Sequence, residues 1–233
     1  MKNIIKVEYG KSSFDVSVQF SERKTLAISV MPDCSVVAVA PIQTPLETVC
    51  QRVKKRARWI KKQLLYFDQL QPRTPPRQFV SGETHLFLGR QYQLKIQVGS
   101  PNQVKLKGRY FWVTCAEGLP SQAERMMSYW YEQRAHIIFE KRLSLCLKNF
   151  PQMRRPKLIL KSFKKRWGGM SKDGKLTLNK DLVRAPLECI DYVIIHELCH
   201  IEFPHHGSEF WSLLRQKLPN WKKQKNRLEV ALV

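Results

Sequence analysis

A mostly apolar segment, LECIDYVII at residues 187–195, continues directly into HELCH at residues 196–200. Its length and composition suit a buried helix, in which residues four positions apart lie on one face. Pro186 favours a helix start immediately before it, and Pro204 disfavours helical backbone at the residue that precedes it. The sequence therefore predicts a buried helix that holds two histidines and a glutamate rigidly at its polar end.

HELCH has the spacing His196-Glu197-x-x-His200, which is typical of zinc hydrolases. Both imidazoles can reach the same ion, and Glu197 stands beside it, where it can take a proton from zinc-bound water and pass it to a leaving group. Zinc lowers the pKa of that water towards about 7. Two imidazole rings at the end of a buried helix also need polar partners, and a bound metal ion would be such a partner for both. The alternative interpretation is a pair of hydrogen-bonded core histidines beside a surface glutamate.

A third ligand is needed, because catalytic zinc takes three protein ligands and leaves one position open. The chain offers His205 and His206 in the turn that follows the helix. His206 lies ten residues after His196, a spacing that lets the turn return its imidazole to the ion, so we prefer it over His205. Glu209 is the third candidate. The sequence thus predicts one Zn²⁺ per chain.

Composition and charge restrict the class of protein. Hydrophobic residues make up 43% of the 233 positions, which excludes a largely disordered chain. The net charge of +22 attracts polyanions, so peptide or other anionic substrates and nucleic acid are candidate partners. The six cysteines form no C-x-x-C pair, and no apolar run is long enough to span a bilayer. We therefore expect a soluble cytoplasmic protein without membrane contact.

The N-terminal portion, residues 1–78, predicts strands followed by a basic helix. Its first forty residues contain strand-like segments, with strict alternation of apolar and polar positions over Phe14–Phe20, and indicate a small antiparallel sheet. A helix is predicted from Thr44 to about Leu70, with a capping box between Thr44 and Glu47. The proline-rich segment QPRTPPRQ, residues 71–78, predicts a linker.

The remainder, residues 79–233, predicts a zincin-like portion, so the expected fold class is α+β, in two portions or one compact unit. Several strand-like segments precede a long amphipathic helix over Ser121–Leu147. We expect the apolar side chains of that helix to lie in the core: Met126, Trp130, Ile137, Phe139 and Leu143. PKLILKSF and KLTLN predict further strands, with a hairpin turn at Asp173-Gly174. No internal repeat is visible.

Several segments resemble the YgjP-like and SprT-like zinc metallopeptidase families: RWGGMSKDGKLTLN, IDYVIIHELCHIEFPHHGSEFW, LPNW and, near the N-terminus, APIQTPLETVCQRVKKRARWI. The resemblance implies that His196, His200 and His206 are zinc ligands and that Glu197 is the catalytic acid/base. The stretch HGSEF, which begins at His206, has the H-G-x-x-F form in which the histidine is a ligand. One departure is Gly169-Met170, where the families usually have serine and cysteine.

The leading functional hypothesis is a zinc-dependent hydrolase, most simply a metallopeptidase. In such enzymes an extended strand beside the helix can pair with substrate, and LILKSF or KLTLN could be that strand. Candidate substrate-binding residues precede the Gly-Gly pair, although a solvated basic corner is the simpler interpretation of them: Lys164, Lys165, Arg166 and Trp167. The alternatives are hydrolysis of a nucleotide or phosphoanhydride, and a nucleic-acid-associated SprT-like protease or binding module.

Overall fold

The computed structural model describes residues 3–10, 12–31, 33–68, 77–163 and 166–232. These residues form two compact units, one on each side of the segment 69–76. Both units combine sheets with helices, which confirms the predicted α+β class. Most of the predicted proline-rich linker lies outside the described residues, so the boundary proposed at residue 78 stays a prediction. No helix within the described ranges is both long and apolar enough to cross a bilayer.

The first unit packs two helices against a four-stranded sheet. Its strands have the order β1-β2-β4-β3 and comprise Asn3–Tyr9 (β1), Ser12–Ser21 (β2), Ala27–Val30 (β3) and Val36–Pro41 (β4). Because β2 and β4 run parallel, the sheet is mixed, and the prediction of an antiparallel sheet was wrong in this respect. Alternate strand residues such as Val16, Val18 and Ala38 are buried against the helices.

The helix predicted over 44–70 is two helices, Leu46–Lys55 (α1) and Ala57–Asp68 (α2). The break falls at Arg56, whose N–H donates to the carbonyl three residues earlier. The predicted capping box does not form, because Pro45 has extended backbone (ψ 141°) and itself precedes the first helical residue. The Thr44 hydroxyl is therefore one position too far from the helix to cap it.

The second unit begins with a sheet whose strand order is β5-β6-β8-β7. The strands are Thr84–Phe87 (β5), Arg90–Val98 (β6), Gln103–Lys107 (β7) and Tyr110–Cys115 (β8). The order and relative directions of these strands repeat those of the first sheet. In both sheets the central pair of strands is parallel and both outer pairs are antiparallel. The sequence shows no such repeat, because strand pairing requires only alternating burial and not identical residues.

Helix α3, Pro120–Cys146, packs against this sheet and agrees with the predicted helix over 121–147. Phe139 and Leu143 are fully buried, and Met126 and Trp130 pack at the edge of the core. Ile137 was expected in the core but is 60% exposed. The buried residues recur every four positions from Ala123, which leaves Ile137 on another face.

The rest of the second unit positions the histidines. A three-stranded sheet has the order β10-β11-β9 and comprises Lys157–Lys161 (β9), Gly168–Met170 (β10) and Lys175–Asn179 (β11). The predicted turn at Asp173-Gly174 joins β10 to β11, with Gly174 at φ +69°. Three helices follow, Leu187–Glu202 (α4), Ser208–Lys217 (α5) and Trp221–Leu232 (α6).

Candidate metal centre

Helix α4 is buried along most of its length, and apart from Glu188 near its start only its C-terminal end is exposed. Ile190, Ile194 and Leu198 are fully buried, as expected for the apolar run. An ion pair from Asp191 to Arg142 ties α4 to α3, with Arg142 Nε 2.6 Å from the carboxylate. The helix ends at Glu202, before Phe203, as Pro204 predicts.

Three imidazoles meet at this end of α4. His196 and His200 lie one turn apart, and the loop after α4 returns His206 to them, so that one nitrogen of each ring lies within 4.8 Å of the other two. The Nε2 atoms of His196 and His206 are 3.0 Å apart. Zinc–nitrogen bonds of about 2.0–2.1 Å in tetrahedral geometry place neighbouring nitrogens about 3.3 Å apart, so the cluster fits one such ion.

Hydrogen bonding leaves one ring nitrogen of His200 free to bind an ion. His200 Nδ1 lies 3.1 Å from the Phe203 carbonyl, and because a carbonyl only accepts, Nδ1 carries the hydrogen and Nε2 has a free lone pair. Burial, together with the nearby His200 and His206, lowers the pKa of His196 to about 3. Burial also lowers the pKa of His206. Neutral imidazole is the form that binds metals.

Aromatic side chains of α5 pack against the imidazoles, and one of them also contacts α6. Phe210 is fully buried and stacks on His200, with ring centroids 4.6 Å apart. Trp211 stacks on His206 at 5.4 Å, and its indole N–H donates to the His206 carbonyl at 3.1 Å. Trp221 stacks on the other side of Trp211, at 4.8 Å. These contacts fix the exposed loop histidine.

Strand β10 packs directly against Glu197. The Met170 backbone N–H donates to the Glu197 carboxylate. A Cβ added to Gly168 would lie 2.9 Å from both Cγ and Oε1 of Glu197 and 3.0 Å from Val193 Cγ1, so only glycine fits there. Burial raises the pKa of Glu197 to about 7, while the Met170 N–H and the charge of Arg166 act in the opposite direction.

Sequence reasoning missed Gly168 and Met170. The only signal for them is the Trp-Gly-Gly stretch immediately before a hairpin. Met170 contributes its backbone N–H, which any residue except proline supplies. The replacement of the families' serine and cysteine by Gly169-Met170 therefore leaves this contact intact.

A groove of about 1520 Å³ runs past the cluster, bordered by β10, the loop before β9 and the end of α4. Acidic residues on its wall are Glu197, Asp173 and Glu202. Basic side chains are more numerous, and they are Arg154, Arg155, Lys157, Arg166, Lys172 and Lys217. The groove is therefore open and electropositive beside the imidazoles.

The other predicted site residues differ in their placement. Arg166 lines the groove, with its guanidinium 4.3 Å from the centre of the Phe163 ring. Trp167 instead packs against the core, and its carbonyl accepts a hydrogen bond from the Asn179 N–H at 2.8 Å. Lys164 and Lys165 lie outside the described residues.

The alternative third ligands, His205 and Glu209, are exposed and do not belong to the group of three donors. KLTLN is the central strand β11, paired on both sides by β9 and β10, so it has no free edge for a substrate. β9 borders the groove only through Lys157, whereas all three residues of β10 line it. The strand beside the site is thus β10, which the sequence analysis did not select.

None of the curated proteins compared with the sequence matches it. The crystal structure of the metallopeptidase zymogen abylysin of Pyrococcus abyssi is 25% identical and covers 41% of this chain and 99% of its own, with a TM-score of 0.37. The zymogen of Methanocaldococcus jannaschii jannalysin is 24% identical and covers 40% and 86%, with a TM-score of 0.35.

The profile of the YgjP-like family, metallopeptidase domain, matches residues 24–231. This range covers the first unit from residue 24 onward, nearly all of the second unit and every residue of the three-histidine cluster. The chain therefore belongs to the YgjP-like family and is a metallohydrolase.

Proposed function

We propose that this protein is a zinc-dependent peptidase in which Glu197 is the catalytic acid/base. His196, His200 and His206 would hold the ion. Zinc bound there supplies a Lewis acid and lowers the pKa of a coordinated water. Three imidazoles with an open side are the donor set of catalytic zinc, which favours zinc over magnesium or calcium, whose ligands are oxygens.

The contacts of Glu197 are the observation that carries the proposal. Glu197 is only 7% exposed and lines the same groove as the three imidazoles, and its carboxylate is held by the Met170 N–H. A buried carboxylate with a pKa near neutrality can both accept a proton from water and return it to a leaving amine. Gly168 keeps β10 close enough to fix that carboxylate in place.

Glu197→Gln tests this role, because glutamine keeps the shape of the side chain but cannot accept the proton. We expect peptide cleavage to fall by about a hundredfold or more, the contribution typical of general acid–base catalysis, while bound zinc stays at one per chain. The matched control is Glu202→Gln, which removes a carboxylate from the same groove without touching the cluster. Cleavage by Glu197→Gln at the wild-type rate would exclude the mechanism.

We further propose that a peptide substrate binds as an added strand on the free edge of β10. The Trp167 carbonyl and the Ser171 N–H bond to β11 at 2.8 and 3.0 Å. Because successive residues point in opposite directions in an antiparallel pair, Gly168 and Met170 direct their backbone groups to the other edge. The Met170 N–H already binds Glu197, which leaves the two carbonyls to accept hydrogen bonds from a substrate and the Gly168 N–H to donate one.

Substrate N-methylation tests strand addition without altering the enzyme. A cleavable peptide is synthesised with one backbone N-methyl group, moved residue by residue along it. We expect slower cleavage when the methyl group is at alternate positions and little change at those between them, since only every second N–H faces the strand edge. Equal effects at neighbouring positions would rule out this binding mode.

The electropositive groove favours acidic peptides, and the same charge supports hydrolysis of a nucleotide or phosphoanhydride as a second candidate function. Arg154, Arg155 and Arg166 are the lining groups suited to bind phosphate or carboxylate oxygens. Product profiles of peptide and nucleoside triphosphate libraries distinguish the two. The true substrate class is the one whose turnover disappears in Glu197→Gln.

A further inference from the structure

The sheet β5–β8 buries one face and presents a polar, aromatic face on the other side. Leu94, Phe111 and Val113 are fully buried beneath it. The alternate residues of β6, β8 and β7 pair across the strands in three rows and form what we call the outer face: Gln93–Tyr110–Lys107, Lys95–Trp112–Lys105 and Gln97–Thr114–Gln103.

The outer face is cationic without compensation from its own strands. Residues 84–115 contain no aspartate or glutamate, but they include Arg90, Lys95, Lys105, Lys107 and Arg109. Lys105 and Lys107 are exposed on the strand next to the aromatic pair. A surface of this kind attracts a polyanion at close range.

Two aromatic rings occupy the centre of the outer face. Tyr110 and Trp112 are consecutive outward residues of β8, with ring centroids 5.9 Å apart. The Lys95 ammonium lies 4.0 Å from the centre of the Tyr110 ring and 5.0 Å from that of Trp112. A cavity of about 480 Å³ adjoins the rings, with Lys105 and Arg109 on its wall. Rings and cations therefore line the same hollow.

We propose that the outer face binds single-stranded nucleic acid, an activity separate from peptide hydrolysis. Unpaired bases stack on exposed aromatic rings whatever their sequence, and lysines beside the rings neutralise the backbone phosphates. A base on Trp112 displaces the flexible Lys95 side chain, whose ammonium then reaches a phosphate. Double-stranded DNA, except at its ends, keeps its bases stacked inside the helix, so these bases cannot stack on Tyr110 and Trp112.

Fluorescence anisotropy with a labelled oligothymidine of about 15 nucleotides, over a series of salt concentrations, tests the proposal. Trp112→Ala should weaken binding about tenfold at low salt. Lys105→Gln combined with Lys107→Gln should lower the slope of log affinity against log salt by about 1.4, since each phosphate contact on a single strand contributes about 0.7. These two lysines are exposed, so their replacement leaves the fold intact and the test does not depend on Trp112→Ala folding.

Trp59→Ala is the matched control, because Trp59 is a 41% exposed tryptophan on the basic helix α2. We expect it to bind as the wild type does, and we expect Trp112→Ala to cleave peptide normally because its sheet is not the one beside Glu197. The proposal fails if Trp112→Ala and Trp59→Ala bind alike, or if the wild type binds no oligothymidine at low salt. It also fails if a duplex of equal length binds more tightly, or if polyglutamate of equal charge competes as well as unlabelled oligothymidine.

Discussion

Two halves of the metal centre are held by different kinds of structure. His196 and His200 lie on α4, whose apolar part is buried in the core, whereas His206 lies in an exposed loop. The helix half is positioned by the backbone itself, since residues four apart share a face. The loop half depends on side chains, namely the stack of Trp211 and the contacts of Phe210. A metal centre can therefore be half fixed by secondary structure and half by packing.

Removing one ligand from each half gives the largest expected difference. We expect His200→Ala to lower zinc affinity by more than about a thousandfold and His206→Ala by about a hundredfold. Both losses are large because removing a direct ligand costs more affinity than removing a residue that only hydrogen-bonds to a ligand. In His206→Ala the two helix imidazoles stay in place, and water can enter on the exposed side. Competition with a chelating dye measures both affinities.

His205→Ala is the control for that experiment, and its zinc affinity should equal that of the wild type. If His206→Ala keeps wild-type affinity, another residue completes the site, and the division into helix and loop halves is wrong. If His200→Ala and His206→Ala lose zinc affinity equally, the loop holds its imidazole as firmly as the helix holds the other two.

Gly168→Ala sharpens the comparison by disturbing only the helix half. The added Cβ meets Glu197 at 2.9 Å and must displace its carboxylate. Because misplacement of a catalytic group by about 1 Å can cost about a hundredfold in rate, we expect kcat to fall by that amount with zinc content unchanged. In the neighbouring Gly169→Ala, the Cβ would lie 3.7 Å from the Arg166 guanidinium, an ordinary contact, and kcat should stay near wild type. Similar kcat values for the two variants would show that β10 does not position Glu197.

Trp211→Ala should give the smallest effect, confined to the loop half. It removes the ring beside His206 and the hydrogen bond to the His206 carbonyl, so we expect zinc affinity to drop about tenfold. Trp211→Phe keeps a stacking ring but lacks the N–H donor, and should fall between Trp211→Ala and the wild type. An unchanged affinity in both variants would mean that the loop holds His206 without its aromatic neighbours.

The same contrast explains how much the sequence could predict. The helix, its end before Pro204 and the pairing of His196 with His200 follow from local rules, because helical spacing and proline sterics act within a few residues. The hairpin at Asp173-Gly174 is predictable for the same reason. The preference for His206 rested on its spacing, and the structure places that ring with the other two.

Other features depend on contacts between distant parts of the chain. Gly168 and Glu197 touch because β10 packs on α4, and a sequence read segment by segment contains no signal for that contact. The break at Arg56 likewise escaped prediction, since the basic pattern continues through it. Ile137 shows a further limit, because an apolar residue on an amphipathic helix need not face the core.

X-ray absorption spectroscopy at the zinc edge, on the protein loaded with one equivalent of zinc, tests the three-imidazole centre most directly. We predict scattering from three imidazole rings, with zinc–nitrogen distances of about 2.0–2.1 Å, together with one oxygen ligand. His206→Ala should reduce the number of rings to two. A wild-type spectrum with two or fewer imidazoles, or one dominated by sulfur or by six oxygens, would contradict the account.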